Sequence, residues 1–306
     1  MGASATAPVS DTSPAPVSLG KVYAAICVQV LISAGTYLVG KRVMEELLPS
    51  TAILWRFLLS GPVFVLLLLF TPGPKLPPRA DGWKVLGLGL LAGPVNQLLF
   101  FTGLARAPAA HGALLYAMTP LGVYVTSLLR GQERASVRAM AGIGMAFMGV
   151  VVLLLGRGLA SARGSLLGDL LIFGAMVAWV VYTTEGRPFA TSYGPIRATA
   201  WSMVAATLLM LPLAPFALKP GEVLHASLTA QACLVYLALL TSVVSYLIWH
   251  YALSKVPASR VAIFSNLQPV VTAIAAWALL GEALHWALAI GGGLVLAGVR
   301  LTQSAR

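Results

Sequence analysis

Long apolar segments separated by short connections constrain this chain more than any other feature. A helix that crosses the hydrocarbon core of a bilayer needs about 20 predominantly apolar residues. Ten segments of that kind cover residues 21–44, 51–71, 83–104, 109–129, 136–156, 165–184, 195–217, 229–253, 258–280 and 284–303. The sequence therefore predicts an all-α integral membrane protein with ten transmembrane helices.

The charge of the chain favours a lipid environment over a water-facing surface. Asp, Glu, Lys and Arg together make up 9% of the 306 residues, whereas soluble domains contain about 25%. The net charge of +11 comes from Lys and Arg that lie singly or in small groups between the apolar segments. Because these cations form no basic stripe and no aromatic platform accompanies them, a nucleic-acid partner is not expected. The predicted partner is the lipid bilayer.

The distribution of Lys and Arg predicts the orientation. With the N-terminus in the cytoplasm, thirteen Lys and Arg lie in inner connections and six in outer ones. Short cytoplasmic loops are enriched in these residues, so both termini are predicted on the cytoplasmic side of a bacterial-type inner (plasma) membrane. Residues 1–20 are rich in Ala, Ser and Pro and contain no Lys or Arg. That composition predicts a short disordered tail rather than a secretory signal.

Matching residues recur at a constant offset between the two halves of the chain. The offset is 149 positions late in each half and 146 positions earlier in each half. The pairs include Pro108/Pro257, Ala109/Ala258, Pro120/Pro269, Glu133/Glu282, Gly142/Gly291, Gly149/Gly298, Lys41/Arg187, Pro49/Pro195 and Trp55/Trp201. These matches predict a first repeat over residues 21–157 and a second over residues 164–303. Each repeat holds five helices, so the second enters the membrane from the opposite side, as in transporters that work by alternating access.

Longer motifs resemble a known family. Residues 246–270, which contain Trp-His-Tyr-Ala-Leu-Ser-Lys-Val-Pro-Ala, and residues 280–282, Leu-Gly-Glu, are similar to the second repeat of the EamA family of the drug/metabolite transporter superfamily. The first half carries the same pattern at residues 104–109, at Thr119-Pro120 and at Glu133. The resemblance implies ten helices, an inverted repeat and transport of small metabolites. Amino-acid exporters, including those of the YddG type, are well represented in that family.

The resemblance therefore predicts a secondary transporter of small molecules, most simply an amino-acid exporter. The family's usual Trp-Gly of the first helix is replaced here by residues 33–36, Ser-Ala-Gly-Thr, so the substrate is not carried over. A transporter of drugs or other metabolites, a membrane-embedded enzyme and a channel are the alternatives. The chain has no HExxH, GxSxG or phosphate-loop motif and no repeated filter sequence, which argues against the last two. Cys27 and Cys233 lie far apart in apolar segments, so no metal site and no cofactor are expected.

Arg56 is the most conspicuous charged residue, because it lies five residues inside the second apolar segment. A charged side chain in the hydrocarbon region faces protein or water and marks a functional pathway. A guanidinium group can hold a substrate carboxylate through two parallel hydrogen bonds. The alternative is that Arg56 snorkels to the outer interface or bonds backbone carbonyls.

Polar residues recur at equivalent positions in the middle of two segments. Asn96 and Gln97 in the third segment correspond to Ser245 and Tyr246 in the eighth. This pattern suits either a shared central cavity or hydrogen bonds between helices.

Two equivalent prolines lie inside the fourth and ninth segments. Pro120 and Pro269 each lack an amide hydrogen, so the carbonyls of Tyr116 and Ser265, four residues earlier, lose their helical partner. Such positions are expected to be hinges or to line a cavity, and the alternative is a simple kink. Polar side chains near them that are candidates for binding substrate are Thr119, Asn266 and Gln268.

Aromatic residues near the middle of the sixth and eighth segments are further candidates. Trp179, Tyr182, Trp249 and His250 can form the wall of a pocket and stack on flat or cationic groups. His250 can also take up a proton near neutral pH, although a lone His in an apolar helix is more often neutral and hydrogen-bonded.

Acidic residues are scarce and avoid the centres of the predicted helices. The chain contains nine of them, and Asp169 and Glu185 are interpreted as flanking the sixth helix. A proton pump relies on a buried carboxylate relay. Strong proton coupling is therefore not predicted, and His250 is the one residue that leaves it open.

Glycines spaced seven apart predict smooth helix faces. Gly142 and Gly149 lie in the fifth segment, and Gly291 and Gly298 lie in the tenth. Small residues two turns apart let another helix approach closely. These faces are expected either to pack the two repeats together or to form a homodimer.

Overall fold

The computed structural model describes residues 19–130, 136–155, 162–281 and 286–303. Almost all of these residues are helical, and none of them forms a strand. The predicted N-terminal tail lies outside the described residues except for Leu19 and Gly20, which begin the first helix. Glu133 and Glu282 also lie outside them.

The helices of the described residues follow the apolar segments closely. They are α1 (Leu19–Met44), α2 (Pro49–Phe70), α3 (Arg79–Leu104), α4 (Ala109–Tyr116), α5 (Thr119–Leu129), α6 (Val137–Leu155), α7 (Ala162–Tyr193), α8 (Pro195–Ala217), α9 (Leu228–Lys255), α10 (Ala258–Ala262), α11 (Gln268–Leu280) and α12 (Trp286–Gln303). A further short helix, Pro220–His225, lies in the connection between α8 and α9.

Six helices of the described part are long and apolar enough to cross a membrane. They are α1, α2, α3, residues Leu166–Tyr193 of α7, α8 and α9. Two shorter apolar helices are Val137–Gly149 within α6 and Trp286–Thr302 within α12. Outward-facing side chains of these helices, such as Leu31, Leu66 and Ile290, are apolar and more than half exposed, which is typical of a surface solvated by lipid.

Several helices are interrupted near their middle, at equivalent positions in the two halves. α3 contains a π-helical stretch at Leu91–Val95, and α9 contains one at Leu237–Ser245. Ala117 and Met118 separate α4 from α5, and a 3₁₀ stretch, Ile263–Leu267, separates α10 from α11. π-Bulges and proline breaks are common at functional sites because they release backbone groups from the regular ladder.

Pro120 and Pro269 lie at the start of a helix rather than inside one. Each is the second residue of the helix that follows the break, α5 or α11. Proline is favoured in the first helical turn, where its missing N–H would have no helical acceptor. The expected interruption of the fourth and ninth segments is present, but each proline restarts a helix instead of kinking a continuous one.

The sixth predicted helix is longer than expected, which changes the placement of two acidic residues. α7 continues to Tyr193, beyond the predicted end at residue 184, and ends at Gly194, whose φ of 83° is left-handed. Glycine adopts that conformation without a Cβ clash. Asp169 and Glu185 therefore lie within α7 rather than flanking it.

The glycine faces of α6 and α12 pack against each other within the chain. A Cβ added at Gly142 would lie 2.6 Å from the carbonyl oxygen of Gly298, and one at Gly149 would lie 2.6 Å from that of Gly291. The two helices thus run antiparallel at backbone contact. Of the two uses expected for these faces, the structure shows the packing of one half against the other, which leaves them covered and unavailable to a second copy.

Hydrogen bonds join the two halves at both ends of the helices. At the end with the α1–α2 connection, called here the Glu46 end, the Glu46 carboxylate accepts hydrogen bonds from the backbone N–H (2.7 Å) and hydroxyl (2.8 Å) of Ser227. The backbone hydrogen bond is the larger cause that lowers the pKa of Glu46 from its ordinary value. At the opposite end, the Asp81 end, the Tyr193 hydroxyl donates to the Asp81 carboxylate at 2.6 Å.

The glycine packing makes a stability prediction with an internal control. Gly149→Ala places a methyl group against the α12 backbone, and overpacking of this kind costs about 1–3 kcal/mol. Gly144→Ala lies on the same helix with nothing within 4 Å of its added Cβ, so it changes helix propensity alone, which favours Ala by about 1 kcal/mol. We expect a lower thermal midpoint in detergent for Gly149→Ala and an equal or higher one for Gly144→Ala. Equal midpoints for the two variants would contradict the packing.

Candidate functional site

A polar cavity lies at the centre of the helices, where α1, α2, α3, α4, α7, α9 and the start of α11 meet. Its volume is about 70 Å³, which is room for several water molecules. Its lining is Gln29, Ser33, Thr36, Tyr37, Arg56, Asn96, Gln97, Phe100, Tyr116, Trp179, Thr241, Ser245, Tyr246, Trp249, Ser265 and Gln268. Both halves of the chain contribute to this lining.

Arg56 is buried in the cavity wall with a relative exposure of 2%. Its Nε donates a hydrogen bond to Ser242 Oγ at 2.5 Å, and its Nη1 donates to Gln97 Oε1 at 2.6 Å. The guanidinium carbon lies 5.5 Å from the centre of the Phe101 ring. The interpretation that Arg56 snorkels to the interface or bonds backbone carbonyls is therefore wrong.

The described residues give Arg56 no carboxylate partner. They also give its second Nη nitrogen no hydrogen-bond acceptor. A buried cation without a counter-ion is costly unless an anion reaches it. The arrangement is therefore suited to an anionic group that enters the cavity.

Asn96 and Gln97 extend this arrangement into a chain of hydrogen bonds. Gln97 Nε2 donates to Asn96 Oδ1 at 2.7 Å and to the Tyr246 hydroxyl at 3.1 Å. Asn96 Nδ2 donates to the Tyr116 hydroxyl at 2.8 Å and to the Ala175 carbonyl at 2.7 Å. Side-chain amides and phenols thus hold Arg56 in place and connect α3 to α4, α7 and α9.

The first helix contributes a polar face that the sequence analysis did not single out. Gln29 Nε2 donates to Ser33 Oγ at 2.7 Å and to Ser245 Oγ at 3.1 Å, while the Thr36 and Thr241 hydroxyls lie 2.8 Å apart. Gln29 Oε1 is buried and has no donor in the described part of the chain. The spacing of four and seven residues from Gln29 to Ser33 and Thr36 places them on one helix face. This spacing is visible in the sequence and could have identified the three residues as one polar helix face.

The breaks after α4 and before α11 bring further polar groups to the cavity. The Tyr37 hydroxyl donates to Gln268 Oε1 at 3.1 Å. The Tyr116 carbonyl, expected to be free, accepts a hydrogen bond from Thr119 Oγ1 at 2.6 Å. The carbonyl of Ser265 likewise accepts from the backbone N–H of Gln268. The side chains, rather than freed carbonyls, supply the polar lining here.

Aromatic rings form the wall opposite the polar face of α1. The Trp179 ring centre lies 5.3 Å from that of Tyr246 and 5.3 Å from that of Trp249. Tyr182 and His250 stand behind this wall rather than in the cavity lining. The Tyr182 hydroxyl lies 3.1 Å from Ser202 Oγ, and its ring meets His250 edge-on. Within the described residues, His250 has no carboxylate neighbour, in keeping with the neutral, hydrogen-bonded alternative.

Most of the substrate-binding residues predicted from the sequence line this one cavity. Those that line it are Arg56, Asn96, Gln97, Tyr116, Trp179, Ser245, Tyr246, Trp249 and Gln268. Thr119, Tyr182 and His250 are buried beside it, and the side chain of Asn266 lies outside the described residues. The lining residues that the sequence analysis did not single out as binding candidates are Gln29, Ser33, Thr36, Tyr37, Phe100, Thr241 and Ser265.

A buried acidic residue also escaped the sequence analysis. Asp169 in α7 is 2% exposed, and its two carboxylate oxygens lie 3.0 and 3.2 Å from Nδ1 of His111 in α4. The pair lies outside the cavity lining, toward the Glu46 end. The interpretation that Asp169 flanks the sixth helix is therefore wrong, because α7 already begins at Ala162 and Asp169 faces His111 of α4.

Comparison with known proteins assigns the chain to a family. The model of the EamA-like transporter family matches residues 20–155 and again residues 166–303. This chain belongs to the EamA-like transporter family. It is therefore a multi-pass membrane transporter and not an enzyme, as the relatives named as transporters also indicate.

Three relatives illustrate the range of the similarity. An uncharacterized transporter of Archaeoglobus fulgidus is 30% identical over 93% of this chain and 98% of its own length. The uncharacterized transporter YyaM of Bacillus subtilis is 29% identical over 90% of both chains. A protein of Streptantibioticus cattleyicolor named a probable terminal-alkyne amino-acid exporter is 30% identical over 73% of this chain and 74% of its own.

The fold is also found among solved structures. One crystal structure superposes with a TM-score of 0.65 at 20% sequence identity and covers 94% of this chain and 97% of its own. At that identity the similarity concerns the fold alone.

Proposed function

We propose that this chain is a secondary transporter that exports amino acids across the inner membrane by alternating access. Its ten helices form two five-helix repeats of opposite orientation, and both termini are cytoplasmic. The substrate binds in the central cavity with its carboxylate on Arg56. The predicted repeats, residues 21–157 and 164–303, each contribute part of the lining.

The buried Arg56 guanidinium is the observation that carries this proposal. Its Nε and Nη1 are held by Ser242 and Gln97, so the side chain is already in position when a ligand arrives. Groups held in place lose little freedom on binding. A carboxylate that binds the other Nη nitrogen supplies the missing negative charge and offsets the cost of the buried cation.

Other lining groups fit the rest of an amino acid. Gln29 Oε1, a buried acceptor without a donor in the described residues, is suited to an ammonium group. Trp179, Tyr246 and Trp249 offer aromatic faces to the side chain, and such faces also attract cations. The relative named a probable terminal-alkyne amino-acid exporter supports the same substrate class.

Contacts that repeat when the two halves are exchanged support the inverted arrangement. At the offset of 149, the Gly142–Gly298 contact becomes the Gly291–Gly149 contact, and both occur. Gln97 and Tyr246 are 149 positions apart and hydrogen-bonded to each other, as expected for equivalent residues on a two-fold axis. Since α6 and α12 run antiparallel, such an axis lies across the helices, in the plane of the membrane.

The small size of the cavity and the contacts at the two ends of the helices support alternating access. A volume of about 70 Å³ holds water but leaves little space for an amino acid. The Glu46–Ser227 and Tyr193–Asp81 hydrogen bonds hold the halves together at the two ends. The helix breaks around the cavity are the places where backbone angles can change. In the proposal, one end opens at a time while the other stays joined.

The site predicts which variants lose transport. Arg56→Ala removes a charge-assisted contact worth about 1.5–3 kcal/mol, so we expect the apparent affinity in amino-acid counterflow to fall about tenfold or more. Gln268→Ala removes a neutral hydrogen bond, and we expect a fall of about threefold to tenfold. The measurement is uptake of labelled amino acids into proteoliposomes with unlabelled competitors inside.

Matched variants control for folding. Arg106→Ala removes an exposed Arg that bonds the Thr102 carbonyl, and Gln231→Ala removes a Gln that bonds the Ala226 carbonyl, both outside the cavity. These variants are expected to transport as the unmodified protein does. Normal transport in Arg56→Ala and Gln268→Ala at equal amounts of folded protein would remove both from the site. Exchange of other metabolites but of no amino acid would redirect the proposal to that substrate class.

The proposed orientation places the Glu46 end outside. In a background with Cys27 and Cys233 replaced by Ala, Glu45→Cys reports the Glu46 end and Arg138→Cys the opposite end, and both positions are exposed. A membrane-impermeant maleimide added to intact cells is expected to label Glu45→Cys alone. Permeabilised cells, in which both variants should react, serve as the control. Labelling of Arg138→Cys but not Glu45→Cys in intact cells means that the orientation is reversed.

A further inference from the structure

A second cavity lies on the outer surface of the helices, between α2 and α8, and is called here the α2–α8 groove. Five residues of α2, between Leu58 and Leu66, line it together with Val204, Thr207 and Leu208 of α8. Its volume is about 520 Å³, which lies within the range of about 300–1,000 Å³ found for pockets that bind small molecules. No residue lines both this groove and the central cavity. Since α2 belongs to the first half and α8 to the second, an occupant of the groove contacts both halves.

The lining of the groove suits a hydrocarbon chain. Val65, Leu66 and Leu208 are exposed apolar side chains on the surface that faces lipid. Thr207 is the one residue of the lining with a polar side chain, and its hydroxyl donates to the carbonyl of Met203 at 2.9 Å. The groove therefore offers an entering molecule apolar contacts and no free side-chain donor, as the hydrocarbon region of a bilayer requires.

The groove extends toward one end of the helices. Gly61 and Thr207 are equivalent at the offset of 146 and contact each other, since a Cβ added at Gly61 would lie 2.8 Å from Thr207 Cγ2. α2 runs toward the Asp81 end, so Val65 and Leu66 lie about 6–7.5 Å nearer that end than this contact does. α8 runs the opposite way, so Val204 lies about 4.5 Å nearer the same end. A chain in the groove thus leads toward the Asp81 end.

The first of two cations at that end is Arg197 of α8. It precedes Val204 by seven residues, which is two helical turns, so it lies on the face of α8 that lines the groove. Its Nη1 donates to the Tyr193 carbonyl at 3.0 Å, and its Nη2 donates to the Pro72 carbonyl in the α2–α3 connection. Its Nε is buried without an acceptor in the described part of the chain. The guanidinium charge is therefore offset only by carbonyl oxygens.

The second cation, Lys75, comes from the first half. Its exposed ammonium donates to the carbonyls of Leu69 (2.9 Å) and Thr71 (2.7 Å) at the C-terminal end of α2. Leu69 lies four residues after Val65 and so continues the face of α2 that lines the groove. Trp201 of α8 donates from Nε1 to the Lys75 carbonyl at 2.9 Å, which holds this connection against α8. An ammonium has three donors, so one remains for a ligand.

The charges near the groove favour an anion at the Asp81 end. Neither of the two cations has a carboxylate partner among the residues that the structure describes. Asp81, the acid of the α2–α3 connection, is already bonded to Lys84 and Tyr193. At the other end of the two helices, the start of α2 is bonded to an acid, because Glu222 accepts from the Leu48 N–H at 2.8 Å.

We propose that the α2–α8 groove binds a phospholipid with an anionic headgroup, such as phosphatidylglycerol. One acyl chain lies in the groove, and the phosphate lies at the Asp81 end against Arg197 and Lys75. Charged donors of Arg and Lys form strong hydrogen bonds with phosphate oxygens. Since one cation comes from each half, the bound lipid joins the halves at this end. The site is separate from the central cavity and does not depend on the proposed substrate.

Native mass spectrometry of the full chain, stripped of lipid in detergent, tests the proposal. Phosphatidylglycerol and phosphatidylcholine with identical acyl chains are added at equal concentration. We expect one phosphatidylglycerol to be retained about tenfold or more over phosphatidylcholine, because each Lys or Arg near an anionic lipid contributes about fivefold. Phosphatidylglycerol should also raise the thermal midpoint, as a ligand of the folded state does. Glycerol 3-phosphate, the headgroup anion without acyl chains, should not.

Variants separate the headgroup from the chain. Arg197→Gln and Lys75→Gln are each expected to lower retention of phosphatidylglycerol about fivefold and to leave phosphatidylcholine unchanged. Val65→Trp fills the groove and should lower retention of both lipids. The matched controls are Arg106→Gln, at an exposed Arg of the Glu46 end, and Val28→Trp, at an exposed Val of α1 outside the groove. Neither control should change retention.

Each contrary result overturns the proposal. Equal retention of both phospholipids by the unmodified protein does so, as does undiminished retention of phosphatidylglycerol in the Arg197→Gln/Lys75→Gln double variant or in Val65→Trp. A midpoint raised equally by glycerol 3-phosphate means a site for a free anion. A lipid-free dimer that Val65→Trp prevents means that a second copy covers the groove. If Arg197→Gln does not fold, Lys75→Gln and Val65→Trp decide, because both replace exposed side chains.

Discussion

The need to satisfy every backbone polar group inside a lipid bilayer determines most of this structure. The hydrocarbon core offers no water, so a spanning segment must bond its own N–H and C=O groups and become a helix. Departures from regular helix are tolerated only where protein or a water-filled space receives the released groups. The π-helical stretches in α3 and α9 and the breaks after α4 and before α11 all surround the central cavity. The irregular backbone and the polar lining are thus two aspects of the same site.

The same requirement extends to the side chains around the cavity. Asn96, Gln97 and Tyr246 bond one another, so little of their polarity is left unpaired. Arg56 is the exception, because its charge is held by neutral oxygen atoms of Ser242 and Gln97 and no carboxylate of the described residues offsets it. In the proposed function, this cation without a carboxylate partner among the described residues favours an anionic ligand.

The two halves share the same packing contacts but differ in some of their polar and charged residues. The Gly142–Gly298 and Gly149–Gly291 contacts are equivalent, and they bring α6 and α12 to backbone distance. Arg56 and His111, by contrast, have no equivalent in the other half: Arg56 corresponds to Ser202 and His111 to Arg260 at the repeat offsets. In the proposed alternating access, equivalent packing allows two conformations of similar energy, one open to each side. Under that proposal, groups present in only one half make the two conformations differ in their affinity for a ligand.

Local pattern alone determined the helical segments, the repeat offsets, the two interrupted segments and the unusual position of Arg56 inside an apolar segment, since each follows from hydropathy, spacing or the cost of one residue in lipid. Only the tertiary structure decided which helix faces meet. The polar face of α1 was visible as a spacing, but nothing in the spacing says whether Gln29 and Thr36 face a cavity, another helix or lipid. His111 and Asp169 are 58 positions apart, and their contact depends on how α4 and α7 pack. Hydropathy and helix periodicity act over a few turns of one segment, whereas a binding site is made by residues from many segments that only packing brings together.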